Sequence, residues 1–179
     1  MQGWVQMALQ TRTYPTARTV DHSAYRKFMS RWSIPFYSQE PVSSDDLLGL
    51  EETLRVLFPL DYFEAVTSHG VGNVSTRLKD DIAAWNANLF PIEELLAPVD
   101  IADLYFHYRT NADADNFLPI ASGSRGDFFG FHRFELAQPR RPDFACIYRF
   151  NYDTNESEFR AGSFESWIDF YVYCLTAHS

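Results

Sequence analysis

Two adjacent acid pairs, Asp80/Asp81 and Glu93/Glu94, are the first residues whose types and spacing could do chemistry. Paired carboxylates catalyse hydrolysis when an apolar pocket raises the pKa of one of them. Both pairs lie on polar stretches, so no acid–base role is expected of them. Histidines stand at positions 22, 69, 107, 132 and 178. None is spaced from another His or Cys as metal ligands are. His69, beside Gly70, reads as completing a helix C-terminus. Asp113 and Asp115, in NADADN, sit two apart as at the start of a calcium loop. A loop begun at Asn111 needs glycine sixth and glutamate twelfth; Asn116 and Ser122 stand there. The stretch therefore reads as a solvated acidic loop. No Gly-x-Ser-x-Gly elbow occurs, and no base flanks Cys146 or Cys174, which read as buried free thiols. Arg140 and Arg141, between two prolines, read as an exposed basic turn. The expectation is a chain with no catalytic residue, no metal and no cofactor.

The most motif-like stretch is FLPIASGSRGDFFGF, residues 117–131. It lacks the lysine and Ser/Thr that close a phosphate-binding loop. It reads as two strands joined by a tight turn. Gly123 and Gly126 would supply backbone conformations closed to other residues. Asp127 would accept hydrogen bonds from the turn amides.

Charge narrows the class of partner. The chain has 179 residues and a net charge of −9. Residues 1–39 carry five Lys/Arg and one acid, whereas residues 40–120 carry fifteen acids and four Lys/Arg. Such a middle segment repels nucleic-acid phosphates and attracts basic partners. No run of about eighteen apolar residues occurs, so no membrane-spanning helix is expected. Arg12 and Arg18 interrupt the first twenty residues, which argues against a signal peptide and for a cytoplasmic protein.

Several elements must position these residues. Ala24, Tyr25, Phe28, Met29 and Trp32 recur at helical spacing over about 21–32. Next comes a linker broken by Pro35 and Pro41. SSDDLLGLEETLRVLF reads as a helix capped by Ser44, with Asp45 and Asp46 at its positive end. Gly49 would permit close packing, and Pro59 would separate this helix from a second, closed by Gly70. Residues 71–90 suit either strand or helix. PIEELLAP reads as a short helix, and VDIADLYFHY as another. DFFGFHRF, FACIYRFNYD and EFRAG read as strands. A last helix capped by Ser163 would bury Phe164, Trp167, Ile168, Tyr171, Val172 and Leu175. Helices first, strands joined by short turns, then a closing helix make an α+β fold: one domain, with helices packed on a mostly antiparallel sheet. Residues 1–39 would extend it at the N-terminus.

The order of LFPLDYFEAVTSHGVGN, FLPIASGSRGDFFGF and SFESWIDFYVY resembles the SUKH superfamily. The matching positions are Phe58, Pro59, Asp61, Tyr62, Phe63 and Gly70, then Leu118, Pro119, Ile120, Gly123, Gly126 and Asp127, then Ser163, Phe164 and Trp167. The resemblance covers roughly residues 40–175. That superfamily includes fungal cell-wall assembly regulators and many bacterial immunity proteins. It implies a non-enzymatic protein-binding domain, here an immunity protein that occludes a basic toxin domain such as a nuclease. Asp80, Asp81, Trp85, Glu93, Glu94, Asp113 and Asp115 would form the partner-binding face, with Phe90 and Tyr105 as further aromatic anchors. Two alternatives stand beside this reading: a regulatory or scaffolding module, and an enzyme of unrecognised class.

Overall fold

The computed structural model describes residues 21–34, 42–85, 87, 89–108 and 116–177. The expected linker around Pro35 and Pro41, Asp113 and Asp115 lie outside the described residues. In chain order the helices are α1 (Ser23–Trp32), α2 (Ser44–Leu54), α3 (Leu60–His69), α4 (Arg77–Ala84), α5 (Pro98–Tyr108), α6 (Arg133–Leu136) and α7 (Phe164–Thr176). The strands are β1 (Gly72–Asn73), β2 (Ile92–Leu95), β3 (Phe117–Gly123), β4 (Asp127–His132), β5 (Ile147–Asn151) and β6 (Glu156–Ala161). Each strand pairs antiparallel with the next, in the order β1-β2-β3-β4-β5-β6. The fold is α+β.

Strand alternation divides the sheet into two faces. On one, Leu118, Phe129 and Phe131 join the helices in the main core. On the other, Phe117 and Phe150 stack at 5.1 Å beneath Tyr108, Phe128, Tyr148 and Tyr152. Phe164, Trp167, Ile168, Tyr171, Val172 and Leu175 are all buried, as their spacing predicts. Ser163 and Ser166 cap this helix reciprocally: each hydroxyl accepts the other's backbone N–H, at 3.0 and 3.1 Å.

The helix at 21–32 forms where expected and reaches deep into the core. Tyr25, Phe28 and Trp32 are fully buried. The Tyr25 ring lies 5.3 Å from Phe164, and its hydroxyl donates to the Gly70 carbonyl at 2.6 Å. Trp32 Nε1 donates to Asp81 at 2.8 Å, which ties α1 to α4.

Several expectations need correction. Ser43, not Ser44, caps α2, accepting the Asp45 amide at 3.1 Å. The helix stops well before Pro59, because Arg55 turns left-handed at φ 54°. PIEELLAP holds β2 rather than a helix, because β3 offers it a backbone edge. A Cβ built on Gly49 meets nothing within 4 Å, so close packing is not its role. Gly126 does need its freedom, at φ +73°. Gly123 has an ordinary extended backbone at φ −122° and instead lacks room: a Cβ would lie 3.0 Å from the Phe129 ring. Both cysteines are free but only half-buried. Asp127 is buried, yet its carboxylate takes Arg149 at 2.8 and 3.0 Å and Asn151 at 2.8 Å rather than turn amides. It thereby locks β4 to β5. Arg141 is no exposed turn: it forks onto buried Glu51 at 2.7 and 2.9 Å and donates to the Phe58 carbonyl at 2.8 Å.

Asp61 supplies a test of the packing. It is fully buried on α3 and accepts the Glu165 amide at 3.2 Å, which holds the start of α7. Burial raises its pKa from 3.8 to about 6, against the backbone N–H groups of Glu165, Tyr62 and Phe164 and the nearby His22, which pull it down. A carboxyl raised in the folded state adds stability that is complete below its unfolded pKa and is lost as pH rises through the folded one. Between pH 4 and 7 the stability difference between the wild type and Asp61→Asn should therefore shift toward the variant by roughly 2 kcal/mol. Urea unfolding across that range measures it, and parallel curves would contradict the raised pKa.

Candidate partner-binding site

Two helices start on the same side of the β1–β2 edge. Ser43 opens α2, whose first turn carries Asp45 and Asp46. Pro98 opens α5, whose first turn carries Asp100. Proline suits a first helical turn because it needs no backbone donor there. Between these helix starts and the strands lies a cleft of about 700 Å³. Leu50, Val71 and Leu95 give it apolar wall, and Val99, 64% exposed, stands at its rim. Gly49 also lines it, which explains why its missing side chain leaves open space.

The cleft is acidic. Asp45, Asp46, Glu94 and Asp100 line it, and among the described residues no Lys, Arg or His does. The two helix N-termini offset part of this, each with about half a positive charge. Against four carboxylates roughly three negative charges are left uncompensated. Burial first, and then the neighbouring Asp100, raise the pKa of Glu94. A cation entering the cleft would relieve that strain directly.

The residues expected to form one binding face are divided. On β2 the register shifts at Glu93, between Ile92 and Glu94, and the two glutamates go to different neighbours. Glu94 turns into the cleft, whereas Glu93 pairs with Lys79 of α4 at 2.5 Å. Asp81 is taken up inside the molecule, holding Trp32 Nε1 and lying 3.7 and 3.9 Å from Arg31 and Arg77. Asp80 is exposed on α4, and Trp85, at the end of that helix, is 44% exposed. Tyr105 is buried in the core. Phe90 lies under two guanidinium groups, Arg149 at 4.0 Å and Arg160 at 4.8 Å. Of the described members of the expected set, Glu94 lines the cleft and the others do not. Asp45 and Asp46 were readable as residues suited to a helix start but not as members of a site. Asp100 sits in the same first-turn position on α5. An acid shortly after each helix start was the available signal; that the two starts converge was not in the local sequence.

Among the described residues no group of three or more His, Cys, Asp or Glu side chains could hold a metal ion. No helix of the described residues is long and apolar enough to cross a membrane.

Replacing Asp100 with asparagine should lower the pKa of Glu94 toward its ordinary value. Carbon-detected NMR titration of the Glu94 carboxyl reads this; an unmoved midpoint would mean that the two groups do not share one field.

The family model for the SMI1 / KNR4 family (SUKH-1) matches residues 41–169. α1 and the last turns of α7 fall outside that match while contributing buried side chains to the same core. No curated protein matches the chain.

Proposed function

The chain belongs to the SMI1/KNR4 family (SUKH-1), and from that premise we propose that it is a non-enzymatic protein-binding domain whose cleft receives a basic surface of its partner. One observation carries this reading: four carboxylates line a cleft with apolar wall and, among the described residues, no cationic side chain. Lysine and arginine side chains match such a cleft at both ends. Their charged heads meet the carboxylates, and their methylene stems lie along Leu50, Val71 and Leu95. The partner we favour is a bacterial toxin domain, and the protein would then be its immunity factor. A nuclease-type toxin needs a basic surface to hold phosphates, and an acidic cleft competes for that surface. Charge complementarity of this kind speeds encounter and fixes orientation more than it adds raw affinity.

The reading needs no titration or bond-making by the chain. Binding of this sort acts by occlusion, so the toxin's active residues stay chemically unaltered.

The experiment starts from a pull-down with the product of the neighbouring gene, followed by calorimetry at low and moderate salt. Asp45→Asn with Asp46→Asn should weaken binding about tenfold at low salt and flatten its salt dependence. Asp80→Asn, on α4, should leave both unchanged. Equal loss from the two variants, or none from the first, would contradict the cleft as the contact.

A further inference from the structure

The far edge of the sheet from the cleft is β6. Among the described residues, no backbone hydrogen bond from outside the sheet reaches this strand. Glu156, Ser157, Glu158 and Phe159 are all exposed. An open edge is a template for another strand. What such a strand could be is constrained by the side chains along it.

Glu158 and Arg160 share one face: they pair at 2.8 Å, and Arg149 joins Glu158 at 3.4 Å. Phe159, 58% exposed, points to the other face and lies 6.0 Å from the Tyr148 ring. The run Glu158-Phe159-Arg160 is therefore acid, aromatic, base. Turned end for end about its own centre, it reads base, aromatic, acid. We propose that a second copy of this chain docks antiparallel on β6, about a two-fold axis through Phe159, and that the two sheets become one.

Charge selects this register. A two-fold axis perpendicular to the sheet keeps each side chain on its own face, so a one-residue slip is forbidden. The allowed registers differ by two residues of pairing and centre on a single position. Centred on Glu158, the axis opposes Glu156 and Arg160 twice but sets Glu158 against its own copy at the centre. Centred on Arg160, it opposes two arginines. Centred on Ser157, it opposes Glu156 and Glu158. Centred on Phe159, it sets each Glu158 against the Arg160 of the other copy, twice, and brings the two Phe159 rings together. Directly opposed side chains sit about 5 Å apart at Cβ, within reach of both the ion pairs and the ring contact. The register of β6 on β5 shifts at Arg160, between the Tyr148–Phe159 and Ile147–Ala161 pairs, so the regular pairing is confined to the residues next to Phe159. The interface is isologous and closes on itself, which yields a dimer rather than a fibre. The cleft, beyond the other edge, stays open in both copies.

Sedimentation over a wide concentration range tests this. The wild type should self-associate as a monomer–dimer equilibrium. Glu158→Arg sets an arginine against each Arg160, and Arg160→Glu sets a glutamate against each Glu158. Each variant alone should dimerise at least about tenfold more weakly. Mixed in equal amounts, the two should form a heterodimer, because every opposed pair is again of opposite sign. Phe159→Asp should be monomeric, and its side chain is exposed enough for the fold to survive. The proposal is overturned by a wild type that stays monomeric, by single variants that associate as the wild type does, or by a mixture no more associated than its components. Should either charge variant unfold, Phe159→Asp decides alone: association as in the wild type overturns the proposal.

Discussion

One buried carboxylate sets the position of the helix that opens the cleft. Glu51, near the end of α2, accepts the Phe58 amide at 2.7 Å and both arms of Arg141. Arg141 also lies 4.3 Å over the Phe63 ring. Three segments are thus pinned at one point: the end of α2, the corner that leads into α3, and the loop that precedes β5. A buried ion pair of this kind adds little net stability over apolar residues of the same shape, but a half-removed one is costly. Its consequence is geometric. With the far end of α2 clamped, its start is held beside β1, β2 and the start of α5, and the cleft has a fixed width.

The net charge of −9 is an average over two populations of acid. Glu51, Asp81, Glu93 and Asp127 are engaged by arginine, lysine, tryptophan or asparagine of the same chain. They organise the fold and offer a partner little. Asp45, Asp46, Glu94 and Asp100 converge where, among the described residues, no cationic side chain is within the lining. Charge counted along the chain cannot separate these populations, because the cations that neutralise the first group come from distant segments. The positive ends of α2 and α5 moderate the second group without cancelling it.

How much of this was legible depended on how local each signal was. The last helix carries its own pattern: a capping serine and six apolar positions on one face, all of them buried as spacing requires. The helices at 23–32 and 60–69 have no side-chain cap and were readable from local spacing and, for the second, from Pro59 and Gly70 at its ends. PIEELLAP was not, since a six-residue apolar–acidic run between prolines suits a helix as well as a strand, and the edge of β3 decides it. That one reading had consequences for the site, because the strand, with its register shift at Glu93, carries Glu94 to the cleft and Glu93 to Lys79. Arg141 looked like a surface turn because its partner, Glu51, lies 90 residues away. Tyr105 was offered as an anchor on type alone, and an aromatic on an amphipathic helix is as readily core. The fold class needed only local signals and their order. The cleft needed two helix starts and a sheet edge to meet, which no local window contains.

The central claim is that the partner sits in the cleft between α2 and α5. Hydrogen–deuterium exchange of the free protein against the complex reads this directly. The account predicts new protection confined to the starts of α2 and α5 and to β1 and β2, with exchange in α4 unaltered. Protection centred on α4, or on the aromatic face around Phe150, with the two helix starts exchanging as before, would contradict it.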